Sequence, residues 1–426
     1  MTVSYRKNVG GTDMKKIISL LLVLILALGL LSACGKKEND NKDNTPGKVA
    51  DQKDDAAKTD EGKKEPVGNA GADGKFEIAL ITDKGNIDDK SFNQGSWEGV
   101  VEFATANSVS HQYYKPEEAS DAGYLAAIDL AVQGGAKVIV TPGFLFEVPI
   151  YEAQTLYPEV KFILLDGAPH TADWATFETK ANVASVMYAE EESGYLAGYA
   201  AVKDGMKKLG FMGGMAVPAV QAFGYGFLEG AQDAAAELGL ADGDVSVTYH
   251  YTGNFEENDT NKATAKTMYQ EGTEVIFACG GSVGKSVMAA ASESGTKVIG
   301  VDVDQRYDSD TVITSATKGL GASVIQVLES IYKTNTWDTY AAKTTYFNAT
   351  NNGVGLPTEV IGNASANAFD RFTSFDKAAY DAVYAKLVNG SVDPVRTIIV
   401  ADASGVATAD ELVSGLNLSK VAVVVR

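Results

Sequence analysis

Short apolar runs alternate with longer amphipathic segments along most of this chain. The first apolar run, at 76–81, is followed by turn-forming residues at 82–86 and then by a segment of helical periodicity that contains Phe92 and Trp97. Apolar runs without polar alternation are typical of strands that are buried on both faces of a parallel sheet. The pattern therefore predicts an α/β protein in which helices connect parallel strands by right-handed crossovers.

The same alternation continues towards the end of the chain. It restarts after 183–187, which indicates two similar halves with a boundary near Met187, and the helix predicted at 320–332 is expected to return to the first half. Strands are predicted at 76–81, 108–114, 138–141, 160–165, 183–187, 208–212, 245–251, 275–278, 297–301 and 421–425. Helices are predicted at 92–101, 121–134, 149–157, 190–203, 219–238, 260–270, 282–294, 320–332 and 375–387, and Asp88 or Asp89 is expected to cap the first of them.

The amino-terminal segment has the composition of an export signal. Two lysines precede an apolar stretch at 17–31, and the sequence Leu-Ser-Ala-Cys at 31–34 resembles the lipobox of bacterial lipoproteins. Residues 1–33 are therefore predicted to be a signal peptide, with Met14 as a candidate start, and Cys34 is predicted to be lipidated. The alternative is an ordinary signal peptide in which Cys34 is incidental.

Composition narrows the classes of function. The chain is 45% hydrophobic and has a formal net charge of −20, which supports globular cores and argues against nucleic-acid binding, because polynucleotides require basic surfaces. Residues 34–74 contain almost no large apolar side chains and are predicted to form a disordered tether. Cys279 has no disulfide partner if Cys34 is lipidated, and it is predicted to be a buried apolar side chain. Three dispersed histidines and one thiol offer no metal-ligand spacing, so neither a metal nor a cofactor is predicted.

Polar and small residues directly follow several of the predicted strands. Asp83, Asp166 and Asp302 each come after an apolar run, and two glycines follow another run at 280–281. Because ligands bind at the carboxyl ends of parallel strands, these residues are expected to converge on a cleft, although aspartates in such positions also cap helices and open turns. The sequence contains no nucleophile elbow, phosphate-binding loop or zinc-protease motif, which favours a binding protein over an enzyme.

Two aromatic residues lie in the loops of the expected cleft, one from each half. Phe92 follows the first strand and Phe255 follows the strand at 245–251. Two rings that face each other across a cleft would suit a flat base or the face of a sugar. Phe223 is a neighbouring candidate for the second ring, and the alternative for Phe92 is that it covers the core beneath its loop.

Six motifs together resemble the basic membrane protein family, whose members are lipoproteins that act as purine-nucleoside receptors for ABC importers. The motifs are DDKSFNQGSWEG (88–99), GGM…F.GF..G (213–230), Y.GNF (251–255), GG..G (280–284), GVDVDQ (300–305) and TSATKG (314–319). The resemblance covers nearly all of residues 75–390 and implies the type I periplasmic-binding-protein fold, with two Rossmann-like lobes of parallel sheet joined by a hinge. Lobe 1 is expected at 75–186 plus about 320–390 and lobe 2 at 187–319, while 391–426 is unplaced.

The resemblance also implies ligand-binding roles for eight residues. Those that match the base-stacking rings and the base-edge or orienting contacts are Phe92, Phe255, Asp83, Asn93 and Asp166. Those that match the ribose-contacting positions are Gly281, Asp302 and Lys318.

The resulting expectation is a non-enzymatic lipoprotein held at the extracytoplasmic face of the cell membrane. It is expected to capture guanosine, inosine or adenosine between its lobes and to deliver the nucleoside to an ABC permease. A receptor of the same fold for a sugar or sugar-like signal is one alternative, and a surface adhesin or sensor protein is another.

Overall fold

The computed structural model describes residues 68–396 and 413–426, and the fold is built from thirteen strands and nine α-helices within these ranges. The strands are β1 (Ile78–Ile81), β2 (His111–Tyr114), β3 (Val138–Pro142), β4 (Lys161–Leu165), β5 (Val183–Tyr188), β6 (Lys208–Gly213), β7 (Val245–Tyr251), β8 (Val275–Cys279), β9 (Lys297–Asp302), β10 (Val312–Lys318), β11 (Lys343–Phe347), β12 (Val354–Gly355) and β13 (Val421–Val425). The helices are α1 (Phe92–Asn107), α2 (Asp121–Gln133), α3 (Glu147–Leu156), α4 (Glu190–Lys203), α5 (Pro218–Glu237), α6 (Asp259–Gln270), α7 (Val283–Ser294), α8 (Leu320–Tyr332) and α9 (Lys377–Val388).

These strands form two sheets. The first sheet has the strand order β11-β5-β4-β3-β1-β2, and all of its neighbouring strands are parallel. The second sheet has the order β12-β10-β9-β8-β6-β7-β13, in which β12 is antiparallel to β10 and the other pairs are parallel. Parallel strands joined by helices confirm the predicted α/β architecture.

Helices cover both faces of each sheet, which explains why the strands lack polar alternation. Along β1, Ile78 and Leu80 belong to a core with residues of α1 and α8, whereas Ala79 and Ile81 belong to a separate core with residues of α2 and α3. In the second sheet, α4 and α5 cover one face and α6 and α7 the other. Successive side chains of a strand point to opposite faces, so an unbroken apolar run is buried on both sides.

The chain passes between the two sheets three times within the described residues. It leaves the first sheet where β5 leads into α4, returns where β10 leads into α8, and leaves again between β11 and β12. The three crossings are joined by hydrogen bonds from Ser193 Oγ to the carbonyl oxygens of Thr317, at 3.2 Å, and Gly355, at 3.0 Å.

Helices α4 and α5 pack with their backbones in contact. A Cβ on Gly226 would lie 1.9 Å from the carbonyl oxygen of Glu191, and a Cβ on Gly230 would lie 1.9 Å from that of Tyr195. Larger side chains at these two positions would force the helices apart, because packed interiors tolerate little added volume. This contact fixes the first turn of α4, which begins at Glu190.

Three strands were not predicted from the sequence, and the physical reasons differ. Strand β10 is buried but contains Thr314, Ser315 and Thr317, whose polar side chains hide the apolar pattern. Strand β11 is a half-exposed edge strand, and β12 has only two residues. The range expected for lobe 1 is also corrected, since β12 and α9 pair or pack with the second sheet, where Tyr380 lies in the core.

Two terminal predictions fall partly or wholly outside the described residues. The predicted signal peptide (1–33) and Cys34 lie outside them, as does most of the predicted tether. The end of that tether is described, and the carbonyl of Asn69 accepts a hydrogen bond from the backbone of His111 at 3.0 Å. In the unplaced segment, β13 adds to the second sheet beside β7. No helix within the described ranges combines the length and apolar character needed to cross a bilayer.

Candidate functional site

The carboxyl ends of strands from both sheets border one cleft. Its empty space amounts to about 780 Å³, including the part that is open to solvent. The lining comes from loops at strand ends, where open α/β sheets bind ligands. All eight residues predicted from the sequence line this cleft: Asp83, Phe92, Asn93, Asp166, Phe255, Gly281, Asp302 and Lys318.

Two carboxylates organise the loop between β1 and α1. Asp89 caps α1, as one of the two predicted candidates, by accepting hydrogen bonds from the backbone N–H groups of Ser91, Asn93 and Gln94 at 2.8, 3.0 and 3.1 Å. The side-chain amide of Asn93 donates to Asp83 Oδ1 and to Asp89 Oδ2, both at 2.9 Å. Asn93 therefore orients Asp83 and holds the loop in shape.

Three strand ends at the cleft have a left-handed backbone. Asp166 follows β4 with φ 56°, Asp302 ends β9 with φ 66°, and Gly281 follows β8 with φ 54°. Glycine adopts this conformation freely, whereas other residues rarely do, with Asp and Asn among the most tolerant. Backbone strain of this kind clusters at functional sites, and the two aspartates share it at equivalent strand ends.

Lys318 is a buried cation at the junction of the two sheets, with only 2% of its side chain exposed. Its Nζ lies 2.5 Å from Asp166 Oδ2, 3.1 Å from Glu190 Oε1 and 3.9 Å from Asp302 Oδ1. Asp166 follows a strand of the first sheet and Lys318 ends a strand of the second. This ion pair therefore joins the two sheets across the cleft.

Burial and neighbouring charges shift the pKa values of this cluster. Burial raises the pKa of Asp166 to about 7, although Lys318 acts in the opposite direction. Burial also raises the pKa of Asp302. Burial disfavours the charge of Glu190, but Arg396 and Lys318 together lower its pKa. Burial likewise disfavours the charge of Lys318, but the surrounding carboxylates raise its pKa. Glu190 and Lys318 are thus both charged at neutral pH, and Asp166 titrates there.

Phenylalanine rings supply much of the apolar lining. Phe92 is half-buried against the core of the first sheet, and Phe255 is half-buried against the core of the second. Phe223, the other candidate for the second ring, is almost fully buried. The Nζ atom of Lys318 lies 4.8 Å from the ring centroid of Phe92 and 5.3 Å from that of Phe223. Phe92 both lines the cleft and covers the core, so each interpretation of this residue describes part of its surroundings.

Direct hydrogen bonds join the β1–α1 loop to the second sheet. Ser91 Oγ donates to Asp302 Oδ2 at 2.5 Å, and Gln305 Nε2 donates to the carbonyl oxygen of Lys90 at 2.7 Å. The first of these bonds is buried. Together with the Lys318–Asp166 ion pair, these contacts describe a closed cleft.

Comparison with known proteins places this architecture in a family. A family model named Bmp, described as ABC transporter substrate-binding protein PnrA-like, matches residues 76–387 and so covers most of the chain. The chain belongs to the Bmp family. It is accordingly a substrate-binding protein of an ABC transporter and not an enzyme.

Relatives of this Bmp protein include a nucleoside-binding protein and a basic membrane protein. The ABC transporter nucleoside-binding protein BmpA of Lactococcus lactis subsp. cremoris is 27% identical over 396 residues, covering 88% of this chain and 98% of that protein. Basic membrane protein A1 of Borrelia garinii subsp. bavariensis is 29% identical over 266 residues, covering 62% of this chain and 74% of that protein.

Solved structures of ABC solute-binding proteins share the fold of this Bmp protein. One from Aeropyrum pernix K1 has a TM-score of 0.65 at 23% identity and covers 76% of this chain and 94% of its own. Another, from Conexibacter woesei, has a TM-score of 0.57 at 23% identity, with 75% and 99% covered. These similarities confirm the type I periplasmic-binding-protein fold that the sequence resemblance implied.

The cleft of this Bmp protein also contains residues that the sequence did not single out. Phe144 and Leu145 line it directly after β3, and the strand-end rule that found Asp83 would have found them as well. Glu190 does not line the cleft itself but contacts Lys318, which does. It begins a helix that starts with three successive acidic residues. Acidic residues are common in the first helical turn, so no local signal separated Glu190 from its neighbours.

Proposed function

We propose that the cleft binds a purine nucleoside such as guanosine, inosine or adenosine and that the protein presents it to an ABC permease. The observation that carries this proposal is the combination, in one cleft, of half-buried rings with strand-end carboxylates and a buried lysine. Stacking of an aromatic side chain on a planar base contributes about 1–3 kcal/mol of binding free energy per base. Carboxylates accept hydrogen bonds from hydroxyl and N–H groups, and an ammonium group donates to hydroxyl oxygens.

The proposed base-binding residues are the two half-buried rings and three polar residues from the loops and helix that follow strands of the first sheet. Phe92 and Phe255 stack on the base from the sides of the first and second sheets. Asp83, oriented by Asn93, and Asp166 accept hydrogen bonds from the edge of the base. In support, Asp166 Oδ1 is buried and accepts no hydrogen bond from any residue of the described ranges. A buried acceptor without a partner is costly, and a ligand N–H or O–H group would satisfy it.

The proposed ribose-binding residues are Asp302, Lys318 and Gly281. The Asp302 carboxylate accepts one hydrogen bond from Ser91 and retains further lone pairs for hydroxyl groups. The ammonium group of Lys318 has three donors, and its contacts with Asp166 and Glu190 use two of them, which leaves one for a ribose hydroxyl. Gly281 lies beside Phe255, where the absence of a side chain keeps the space open.

Two further parts of the proposal concern the ligand class and the location. The Lactococcus relative is named as a nucleoside-binding protein, which supports the choice of ligand. Membership of an ABC substrate-binding family supports delivery to a permease outside the cytoplasm. We propose that Cys34 carries the lipid that holds the protein on the membrane and that the segment from 34 towards 74 serves as the tether.

Titration calorimetry on the purified protein, freed of bound ligand, tests the proposal. Inosine, guanosine or adenosine should bind, and ribose alone should not bind measurably. Hypoxanthine should bind far more weakly than inosine because it lacks the ribose hydroxyls that Asp302 and Lys318 would bind. Binding of ribose without binding of any nucleoside would contradict the proposal and support the sugar-receptor alternative. Equal affinities for inosine and hypoxanthine would remove the ribose assignment of Asp302 and Lys318.

A further inference from the structure

A cation from the carboxyl-terminal segment reaches the charged cluster of the cleft. Arg396 lies beyond the residues matched by the family model, which end at 387. Its Nη1 donates to Glu190 Oε2 at 2.6 Å and to the carbonyl oxygen of Tyr188 at 2.7 Å, and it also pairs with Glu191. Arg396 therefore contacts both the end of β5 and the start of α4.

Glu190 connects this arginine to the ligand site. Its side chain is only 1% exposed, with one oxygen 3.1 Å from Lys318 Nζ and the other 2.6 Å from Arg396 Nη1. Lys318 in turn lies 2.5 Å from Asp166 Oδ2. A continuous row of alternating charges thus runs from Arg396 through Glu190 and Lys318 to Asp166 in the cleft.

The row also links two of the crossings between the sheets. Tyr188 and Glu190 lie where β5 leads into α4, and Lys318 lies where β10 leads into α8. The segment that carries Arg396 is itself held in place, since the backbone N–H of Val395 donates to Glu229 Oε2 on α5 at 2.6 Å. Arg396 is therefore presented from a fixed backbone.

Loss of the arginine charge would change the balance around Lys318. Glu190 would keep Lys318 as its remaining cationic partner among the described residues, and a buried carboxylate that loses one of its two cations is strongly destabilised. Lys318 would then be drawn towards Glu190 and away from Asp166, which lines the cleft. The geometry of the site would be altered although Arg396 does not line it.

We propose that Arg396 is a positioning residue for the ligand site: by holding the charge of Glu190, it sets Lys318 against Asp166 and fixes the first crossing between the sheets. The ligand measurement that tests this rests on the proposed nucleoside function, whereas the backbone measurement does not.

The first experiment compares inosine affinity by titration calorimetry in three variants. Arg396→Gln should weaken binding by roughly tenfold or more, because Lys318 would move towards Glu190 and away from Asp166 once Glu190 loses its second cation. The contacts of Arg396 with Tyr188, Glu190 and Glu191 all run through Nη1. Because a lysine ammonium can supply a positive charge and three donors at one atom, Arg396→Lys should bind inosine to within about threefold of wild type. Arg426→Gln is the matched control, since Arg426 belongs to the same terminal segment but pairs with the exposed Glu271, and it should bind as wild type does. Wild-type affinity in Arg396→Gln, or an equal loss in Arg396→Gln and Arg396→Lys, would overturn the proposal.

The second experiment replaces Glu190 by glutamine, so that the loss of Arg396 leaves no buried negative charge without its cation. In a Glu190→Gln background, adding Arg396→Gln should change inosine affinity by less than about threefold, because residues that act as a unit are not additive. A further tenfold loss would show that Arg396 does not act through Glu190 and would overturn the proposal.

The third experiment needs no ligand. Hydrogen–deuterium exchange at 188–193 should be faster in Arg396→Gln than in wild type and unchanged in Arg426→Gln. Unchanged exchange at 188–193 in Arg396→Gln would overturn the proposal even if no nucleoside binds. If wild type binds no nucleoside but exchange accelerates as expected, the proposed function fails while the role of Arg396 at the crossing stands.

Discussion

Replacement of Phe92 by alanine separates ligand stacking from core packing at one position. The ring lines the cleft, is half-buried against the first core and lies 4.8 Å from Lys318 Nζ. Loss of base stacking costs about 1–3 kcal/mol, which corresponds to a roughly 5- to 150-fold weaker affinity for inosine. A fully buried Phe→Ala change costs about 3–5 kcal/mol of stability, so the half-buried ring should cost about half of that.

Two further variants make this test specific. Phe92→Leu keeps most of the apolar volume but removes the flat ring, so it should be nearly as stable as wild type and still bind inosine more weakly. Tyr346→Ala removes an exposed aromatic side chain on β11 and should leave affinity unchanged. Affinity is measured by calorimetry and the free energy of unfolding by urea titration.

The result that would refute the stacking role is specific. If Phe92→Ala binds inosine as wild type does while losing about 3 kcal/mol or more of stability, the ring belongs to the core alone. If Phe92→Ala and Phe92→Leu lose the same affinity while Phe92→Leu keeps its stability, the flat face of the ring is what the ligand contacts.

The remaining predictions concern closure, titration and anchoring. Ser91→Ala removes a buried hydrogen bond to Asp302. Inosine affinity measured by calorimetry should therefore fall by the roughly 10- to 150-fold that corresponds to about 1.5–3 kcal/mol, and unchanged affinity would count against this closing contact. The raised pKa of Asp166 means that its carboxyl group binds a proton more tightly in the folded state than in the unfolded chain. This group therefore lowers the free energy of unfolding as the pH rises from 3.8 to about 7. In urea titrations the stability of Asp166→Asn relative to wild type should therefore increase over that range, and a difference that is independent of pH would contradict the assignment. Cys34→Ser should release the protein from membranes or leave an unprocessed precursor, and mass spectrometry of an unmodified mature Cys34 in the natural protein would contradict lipidation.

Much of the lining of the cleft could be predicted because the loops that follow parallel strands lie together at one edge of a sheet. Asp83, Asp166 and Asp302 each follow an apolar run, and the topology brings such ends to one edge. The prediction needed only local pattern and the rule for α/β sheets. The second ring needed more, since Phe223 and Phe255 both line the cleft and only the difference in their burial separates them.

The charged partners of Lys318 could not be predicted in the same way. The Arg396–Glu190 bond joins residues 206 positions apart, and neither residue belongs to a local motif. Strand β10, which carries Lys318, was missed because hydrogen-bonded polar side chains occupy buried positions along it. Long-range ion pairs and hydrogen bonds of buried polar groups depend on tertiary structure, so the hydrophobic periodicity of the sequence does not reveal them.

The balance of charge in the cleft bears on which purine compounds it can accept. Asp83, Asp89, Asp166 and Asp302 line it, and Lys318 is the cation among the lining residues that the structure describes. Lys318 is already paired with Asp166 and Glu190. The cleft therefore offers carboxylate oxygens that can accept further hydrogen bonds but little positive charge that is not already neutralised. A phosphate group carries negative charge and only acceptor oxygens, and it would meet repulsion and unsatisfied acceptors there. Hydroxyl and N–H donors match the cleft instead, so under the proposed function it selects a neutral nucleoside over the corresponding nucleotide.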